Sequence, residues 1–286
     1  MSLAAQGWAT RDPLLRVEGL TVIHGRGCPE CLPATGPAAG RNRCPACGAI
    51  VACGQVSFSV YPGEILGIVG ESGSGKTTIV RCLFFDLPAT AGAAYLASFD
   101  PVANLFELSR QQQRHLRNHR LGIVYQHPQL GLRLGFTAGG NIAEKLLSSG
   151  SFHVGRIRAR AGELLSRTEV PLDRMDDLPR HFSGGMQQRV QMAKALANHP
   201  DLVFLDEVTS GLDLSVQAKV LDLIKHLQRE LGMTMIVVSH DLGVIRLLTD
   251  RTAVVKHGRL VELGLTDQIL EDPQHEYTQL LVSSLL

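Results

Sequence analysis

Residues Gly70-Glu71-Ser72-Gly73-Ser74-Gly75-Lys76-Thr77 fit G-x-x-x-x-G-K-[ST], and their flanks narrow what the chain can fold into. Ile65 to Val69 is a short apolar run of the kind a buried parallel strand needs, and a helix is expected from Lys76 onward. A strand that enters a glycine-rich turn and then a helix opens a βαβ unit, so further parallel strands are expected downstream. In such a turn the glycines let backbone N–H groups point inward around the β- and γ-phosphates of a nucleotide at the positive end of the helix. Gly70, Ser72, Gly73, Ser74, Gly75 and Thr78 are candidates for that cradle, with Lys76 as a point charge and Thr77 as a Mg²⁺ ligand. A glycine-rich turn with no ligand is the competing reading.

The remaining pattern is α/β. A first strand reads Leu14 to Thr21, with Leu15, Val17 and Leu20 as its apolar positions. A Gly, Pro and Cys-rich stretch, Gly25 to Gly48, interrupts the β pattern, which resumes at Val56 to Val60. Leu108 to Arg180 has the composition and spacing of helices. Strand-like runs return at Leu202 to Leu205 and Met235 to Val238 around a helical stretch, and a last strand pair is expected at Thr252 to Val255 and Arg259 to Glu262. The expected domains are a nucleotide-binding core with a β subdomain (1–107 and 186–265), an insertion (25–52), a helical subdomain (108–185) and a tail (266–286). At 286 residues this suits one α/β domain with appendages.

With 28 Lys and Arg against 27 Asp and Glu, the charge of +1 offers no field to gather nucleic acid, and no nucleic-acid partner is expected. Apolar runs fall far short of the roughly 20 residues of a membrane-spanning helix, so no direct membrane insertion is expected. Met1 to Thr10 lacks the basic head and apolar core of a secretory signal, and the chain reads as cytoplasmic.

Leu202-Val203-Phe204-Leu205-Asp206-Glu207 is an apolar strand ending in two acids, which places them at the ligand crevice of an α/β sheet. Asp206 there would hold Mg²⁺ through water and Glu207 would polarise an attacking water, although two acids at a strand end can also be solvated turn residues. Phe182-Ser183-Gly184-Gly185-Met186-Gln187-Gln188-Arg189 separates the alternatives, because it resembles the signature motif of ATP-binding cassette proteins. That resemblance implies a phosphate-loop core with an antiparallel β subdomain and a helical subdomain, MgATP hydrolysis, and a dimer of cassette subunits. It assigns Ser183, Gly184 and Gly185 to the γ-phosphate of nucleotide held by the opposite subunit. It also gives Gln126 a role toward Mg²⁺ and nucleotide, Asp213 the dimer-loop aspartate, and His240 the γ-phosphate switch. His24 stands where the family usually stacks an aromatic residue on adenine.

The chain has six cysteines. Cys28-Pro29-Glu30-Cys31 and Cys44-Pro45-Ala46-Cys47-Gly48 are paired C-x-x-C knuckles, a pattern that favours a metal over disulfides in the absence of an export signal. Four thiolates suit a structural Zn²⁺; an iron–sulfur centre and free thiols are the alternatives. Cys53 and Cys82 read as small core residues.

Two subfamilies compete. His275-Glu276-Tyr277-Thr278-Gln279-Leu280 resembles the tail of oligopeptide-type importer ATPases, which would make the chain an importer subunit. Tyr125 to Arg133, Ala138-Gly139-Gly140-Asn141-Ile142 and Leu280 to Ser284 resemble the cassette ATPases of bacterial carbon–phosphorus lyase systems, which implies a soluble lyase core as partner. Val208 and Glu276 stand where the family usually has proline.

Overall fold

The computed structural model describes residues 12–284 and divides into two compact units, Met1–Ser109 with Ile236–Leu286, and Arg110–Met235. Elements are numbered along the chain.

In the first unit, β1 (Leu15–His24) lies between β2 (Ile50–Val60) and β4 (Ala91–Leu96) in an antiparallel sheet of order β2-β1-β4. Leu15, Val17 and Leu20 are all buried; the first two keep the alternation of a strand, and Leu20 follows a register shift at Gly19, φ +60°, that breaks it. A second sheet carries β3 (Ile65–Val69), all five residues buried, parallel to β8 (Arg251–Lys256), which pairs antiparallel with β9 (Arg259–Leu265). On the far side of β3 run the last three residues of β7 (Thr234–Val238). Burial of both faces explains why β3 is continuously apolar.

The start of β3 is fixed by charge. Tyr61 N–H donates to the fully buried Glu64 carboxylate at 2.7 Å, Arg251 pairs with it at 3.0 Å, and Ile65 N–H donates to Asp250 Oδ2 at 2.8 Å. Burial pushes the Glu64 carboxyl above its ordinary range, with the Tyr61 N–H and Arg251 pulling the other way. From β3 the chain passes through the glycine-rich turn into α1 (Lys76–Leu83), which buries Ile79, Val80 and Leu83. Helix α8 (Leu242–Leu248) packs on β3 so closely that a Cβ on Gly67 would come within 3.0 Å of Ile245 and Thr249. Two further helices, α9 (Thr266–Glu271) and α10 (Glu276–Ser283), occupy the stretch read as a tail. Glu276 is the first residue of α10, a position where proline and an acidic residue are both favoured, which accounts for the replacement.

The second unit holds a parallel pair, β5 (Leu121–Val124) and β6 (Leu202–Asp206), with helices α2 (Arg110–His119), α3 (Pro128–Gly131), α4 (Ala138–Ser148), α5 (Val154–Arg167), α6 (Gly184–Ala195) and α7 (Leu214–Leu231). Helices α4, α5 and α6 pack on one another. The strand β5 falls inside the stretch whose spacing reads as helical. Its four residues are all buried and pair with Leu202 to Leu205, a partnership of distant residues that no local period can announce. Strand β4 is likewise absent from the sequence reading, since Ala-Gly-Ala-Ala has no strand signature of its own. No helix among the described residues is long and apolar enough to cross a membrane.

Candidate functional site

The first unit holds the glycine-rich turn. Gly70 and Gly75 have φ of +150° and +109°, and a Cβ on either would stand 2.1 Å from a carbonyl oxygen, that of Val255 and of Ala52 respectively. Any side chain is excluded at both positions. Gly73 is also left-handed at φ +80°, yet a Cβ there would meet nothing within 4 Å, so this face of the turn is open. Lys76 is buried and its Nζ donates to Gly70 O at 2.8 Å and Glu71 O at 2.9 Å, which places the ammonium beneath the turn. Ser74 is buried, Ser72 exposed, and Thr77 and Thr78 are partly accessible in the first turn of α1. His240, two residues past β7, and His24, the last residue of β1, are both exposed.

A contact that sequence reasoning missed supports the turn from outside. Glu71 N–H donates to Tyr277 Oη at 3.1 Å, and Lys256 Nζ lies 4.4 Å from the Tyr277 ring centroid. Tyr277 is buried, and its only signal in the sequence is an aromatic residue in an otherwise polar helix start.

In the second unit, Asp206 is buried at the end of β6 and Glu207 follows it with φ +47°, a left-handed conformation rare for a residue with a side chain. Such backbone persists where the surroundings fix it and is common at functional sites. The Gln126 amide donates to Glu207 Oε2 at 3.1 Å and to Ser210 Oγ at 3.3 Å, so two of the sequence candidates meet. Ser183 caps α6, accepting from Met186 N–H at 3.4 Å. Gly185 is packed so that a Cβ would lie 2.6 Å from Val216 Cγ1 on α7, while Gly184 is exposed. Asp213 is exposed at the start of α7.

The signature helix also holds Gln126 in place. Gln191 Oε1 accepts from Tyr125 N–H at 2.6 Å and its amide donates to Tyr125 O at 3.1 Å, while Gln188 donates to Gln126 O at 3.0 Å. Both side chains are buried. Nothing in the sequence separates these two glutamines from the polar residues of a solvent-facing helix, because their partner backbone lies more than sixty residues away. The Ala138-Gly139-Gly140-Asn141-Ile142 segment acts on the same loop. Asn141, fully buried, accepts from Arg133 N–H at 2.8 Å and donates to Arg133 O and Thr137 O at 3.0 Å each, fixing the turn between α3 and α4. Arg133 pairs with Glu144 at 2.8 Å, and Leu130 beside it is exposed.

The four knuckle cysteines converge, with every sulfur within 4.8 Å of the others. Sγ separations are 3.8 Å for Cys28–Cys31, 3.7 Å for Cys28–Cys44 and 3.4 Å for Cys31–Cys47. A single tetrahedral ion with bonds of about 2.3 Å requires sulfurs ~3.8 Å apart. The four thiols can therefore hold a metal ion. Cys44 has its thiol lowered to about 7, chiefly because the Cys47 N–H points at its sulfur, whereas Cys28 is pushed up to about 12, chiefly by its hydrogen bond with Cys47.

The glycine-rich turn, then the Ser183-capped helix, then the two acids at the end of β6 follow one another in the order of a known family, and its sequence model, described as ABC transporter, matches residues 53–210. The chain belongs to the ATP-binding cassette family. This cassette ATPase is 52% identical over 232 residues to PhnK of Escherichia coli (strain K12), a phosphonates utilization ATP-binding protein, covering 81% of this chain and 90% of that one. It is 36% identical over 243 residues to the oligopeptide transport ATP-binding protein OppD of Bacillus subtilis (strain 168), covering 83% and 67%. Among solved structures, the cassette MJ0796, described as a dimer in a post-hydrolysis state bound to ADP and Pi, matches with a TM-score of 0.73 and 27% identity over 88% of this chain and 98% of that one. The cassette fold and the capacity to hydrolyse ATP follow for this chain.

Proposed function

We propose that this cassette ATPase hydrolyses MgATP as a dimer and drives the core of a carbon–phosphorus lyase, supporting the breakdown of phosphonates to phosphate. The observation that carries the reading is the 52% identity across 90% of PhnK, against 36% across 67% of OppD. The partner-facing loop adds to it, because the segments that resemble the lyase ATPases, Tyr125 to Arg133 and Ala138 to Ile142, are those joined by Asn141. An oligopeptide-type importer subunit is the second reading, supported by the 36% identity to OppD and by the resemblance of His275 to Leu280 to importer tails.

In this reading Gly70, Ser72, Gly73, Ser74, Gly75 and Thr78 surround the phosphates with backbone and hydroxyl donors, and Lys76 supplies a charge against the β- and γ-phosphates. Thr77, Gln126 and, through water, Asp206 offer the oxygen donors that suit Mg²⁺, which when bound neutralises developing phosphate charge. Glu207 orients and polarises the attacking water, and the Gln126 amide fixes the carboxylate for that task. His240 bonds the γ-phosphate, and His24 stacks on adenine. Ser183, Gly184 and Gly185 complete the site of the opposing subunit, with Asp213 at the same interface. ATP would thus close the dimer and hydrolysis reopen it, moving whatever is docked by the loops after Gln126.

Capture of the tagged chain from phosphate-starved cells tests the partner. Without detergent it is expected to bring down soluble lyase subunits, and Lys76→Ala is expected to abolish growth on an alkylphosphonate as sole phosphorus source. Leu130→Asp, at an exposed apolar residue of the loop, is expected to lose the partner while the purified variant still hydrolyses ATP. Arg133 is a poorer probe, since a carboxylate there would face Glu144. Capture of an integral permease alone, with normal growth of the Lys76 variant, overturns the lyase reading in favour of the importer.

The knuckle is proposed to hold one Zn²⁺. An iron–sulfur cluster interposes several atoms between its thiolates, whereas these sulfurs lie at the spacing of one ion. Elemental analysis is expected to give about one zinc per chain, lost on replacing any one of Cys28, Cys31, Cys44 and Cys47 by Ser. A metal content near zero in protein prepared without chelators removes the assignment.

A further inference from the structure

The cysteine knuckle is joined to the phosphate turn by a continuous set of short contacts. Its own apolar core is small: Cys31, Cys44, Ala49 and Val51 are the buried members of the cluster, with Ile23, Cys28 and Leu32 packed against them. Two of those four are sulfur ligands, so the 25–48 stretch has little apolar burial with which to offset its ordering entropy without a metal. The knuckle then closes on β2, with Cys44 N–H donating to Ala49 O at 2.8 Å and Val51 N–H to Asn42 O at 2.8 Å. The next residue, Ala52, carries the carbonyl that lies against Gly75. Gly54 N–H donates to Gly258 O at 2.8 Å, and Gly258 N–H donates to Ser74 O at 2.9 Å, inside the phosphate turn.

One side chain spans the whole arrangement. Arg259 Nη2 donates to Leu32 O in the knuckle at 2.8 Å, and Nη1 donates to Gly54 O at 2.7 Å and Gln55 Oε1 at 3.1 Å. The knuckle backbone rests on its stem, since a Cβ on Gly36 would lie 3.4 Å from Arg259 Cγ and Nε. These acceptors are neutral, so the guanidinium acts here as a fork that bridges two segments. A fainter link runs directly, Asn42 Nδ2 donating to Gly73 O at 3.5 Å. Asn42 also lines a cleft of about 230 Å³ together with Ser72, Gly73, His257 and Tyr277.

We propose that the metal-bound knuckle sets the shape of the phosphate turn through Arg259 and the Ala52–Gly75 contact, so that metal and nucleotide binding reinforce one another; Arg259 is a positioning residue for the nucleotide site. The proposal rests on the zinc assignment and on the nucleotide role of the Gly70 turn. Coupling between two sites is reciprocal, so nucleotide must tighten the metal by the factor with which the metal tightens nucleotide.

The test uses the full chain, Zn²⁺ and a slowly hydrolysed fluorescent ATP analogue. Cys47→Ser, at the exposed ligand, is expected to purify without zinc and to bind the analogue about tenfold more weakly. Arg259→Met is expected to keep its zinc yet show a similar loss, and the double variant to be no weaker than either. Chelation of the wild-type protein provides an arm free of substitution. Removing zinc should weaken the analogue and raise amide exchange across Gly70 to Thr78, re-added Zn²⁺ should restore both, and saturating analogue should raise the affinity for Zn²⁺. Wild-type affinity in the zinc-free protein overturns the coupling while leaving the zinc and nucleotide assignments standing. A wild-type chain that takes up no zinc overturns the proposal at the metal, and one that binds zinc but no analogue overturns it at the nucleotide site.

Discussion

Glu207→Gln is expected to lower steady-state ATP turnover by about 10² to 10⁴, the usual contribution of a positioned acid–base group, while nucleotide binding persists. The substitution is nearly isosteric and its amide oxygen can still accept from Gln126 Nε2, now 3.1 Å from the carboxylate, so the loop geometry survives. What disappears is the carboxylate charge, which the proposed mechanism uses to polarise water. Because the phosphate cradle is untouched, ATP should accumulate unhydrolysed and hold the subunits together, and gel filtration in ATP should show a dimer absent in ADP. Phosphate release at the wild-type rate would remove Glu207 from this role.

Replacing Gly75 by Ala should be more damaging to the molecule itself. The methyl group would sit 2.1 Å from the Ala52 carbonyl oxygen at φ +109°, so both the backbone conformation and the space forbid it. Overpacking costs about 1–3 kcal/mol and a left-handed Ala about 1–2 kcal/mol more, enough to displace the turn from β2. Nucleotide binding should fall below detection and the urea midpoint should drop clearly. Gly73→Ala supplies the comparison, since its φ of +80° is unfavourable too but a Cβ there meets nothing within 4 Å. Its stability loss should be confined to the conformational part. Equal losses for the two variants would show that crowding against Ala52 is not what fixes Gly75.

The parts of the site that could be read in the sequence are those whose chemistry is local. Gly70 to Thr77 and Phe182 to Arg189 carry their turn and helix start within eight residues, and Asp206 ends, with Glu207 just beyond, a strand whose burial is written in its own composition. Cys28, Cys31, Cys44 and Cys47 announce themselves by spacing, and their sulfurs converge as that spacing implies. What stayed hidden depends on partners far along the chain. Leu121–Val124 is a strand because Leu202 to Leu205 lies beside it. Ala91–Leu96 is one because β1 offers a second edge. Gln188 and Gln191 look like polar residues of a surface helix until the Tyr125 backbone is found opposite them. Arg259 is separated by 227 residues from the knuckle carbonyl it holds, and nothing near it in sequence points there.

The hydrogen bond between Glu71 N–H and Tyr277 Oη joins residues 206 positions apart, and the strand leading into the turn, β3, is paired with β8 at Leu66 and Arg251. Synthesis runs from the N-terminus at about 5–20 residues per second, so the phosphate turn leaves the ribosome well before the strand and the helix that seat it. During that interval the chain has the turn's sequence without its supports, and β3 lacks the β8 edge it is built to pair with. A chain cut short before Tyr277 would carry the whole Gly70 to Thr77 turn without the hydroxyl that accepts from Glu71 N–H.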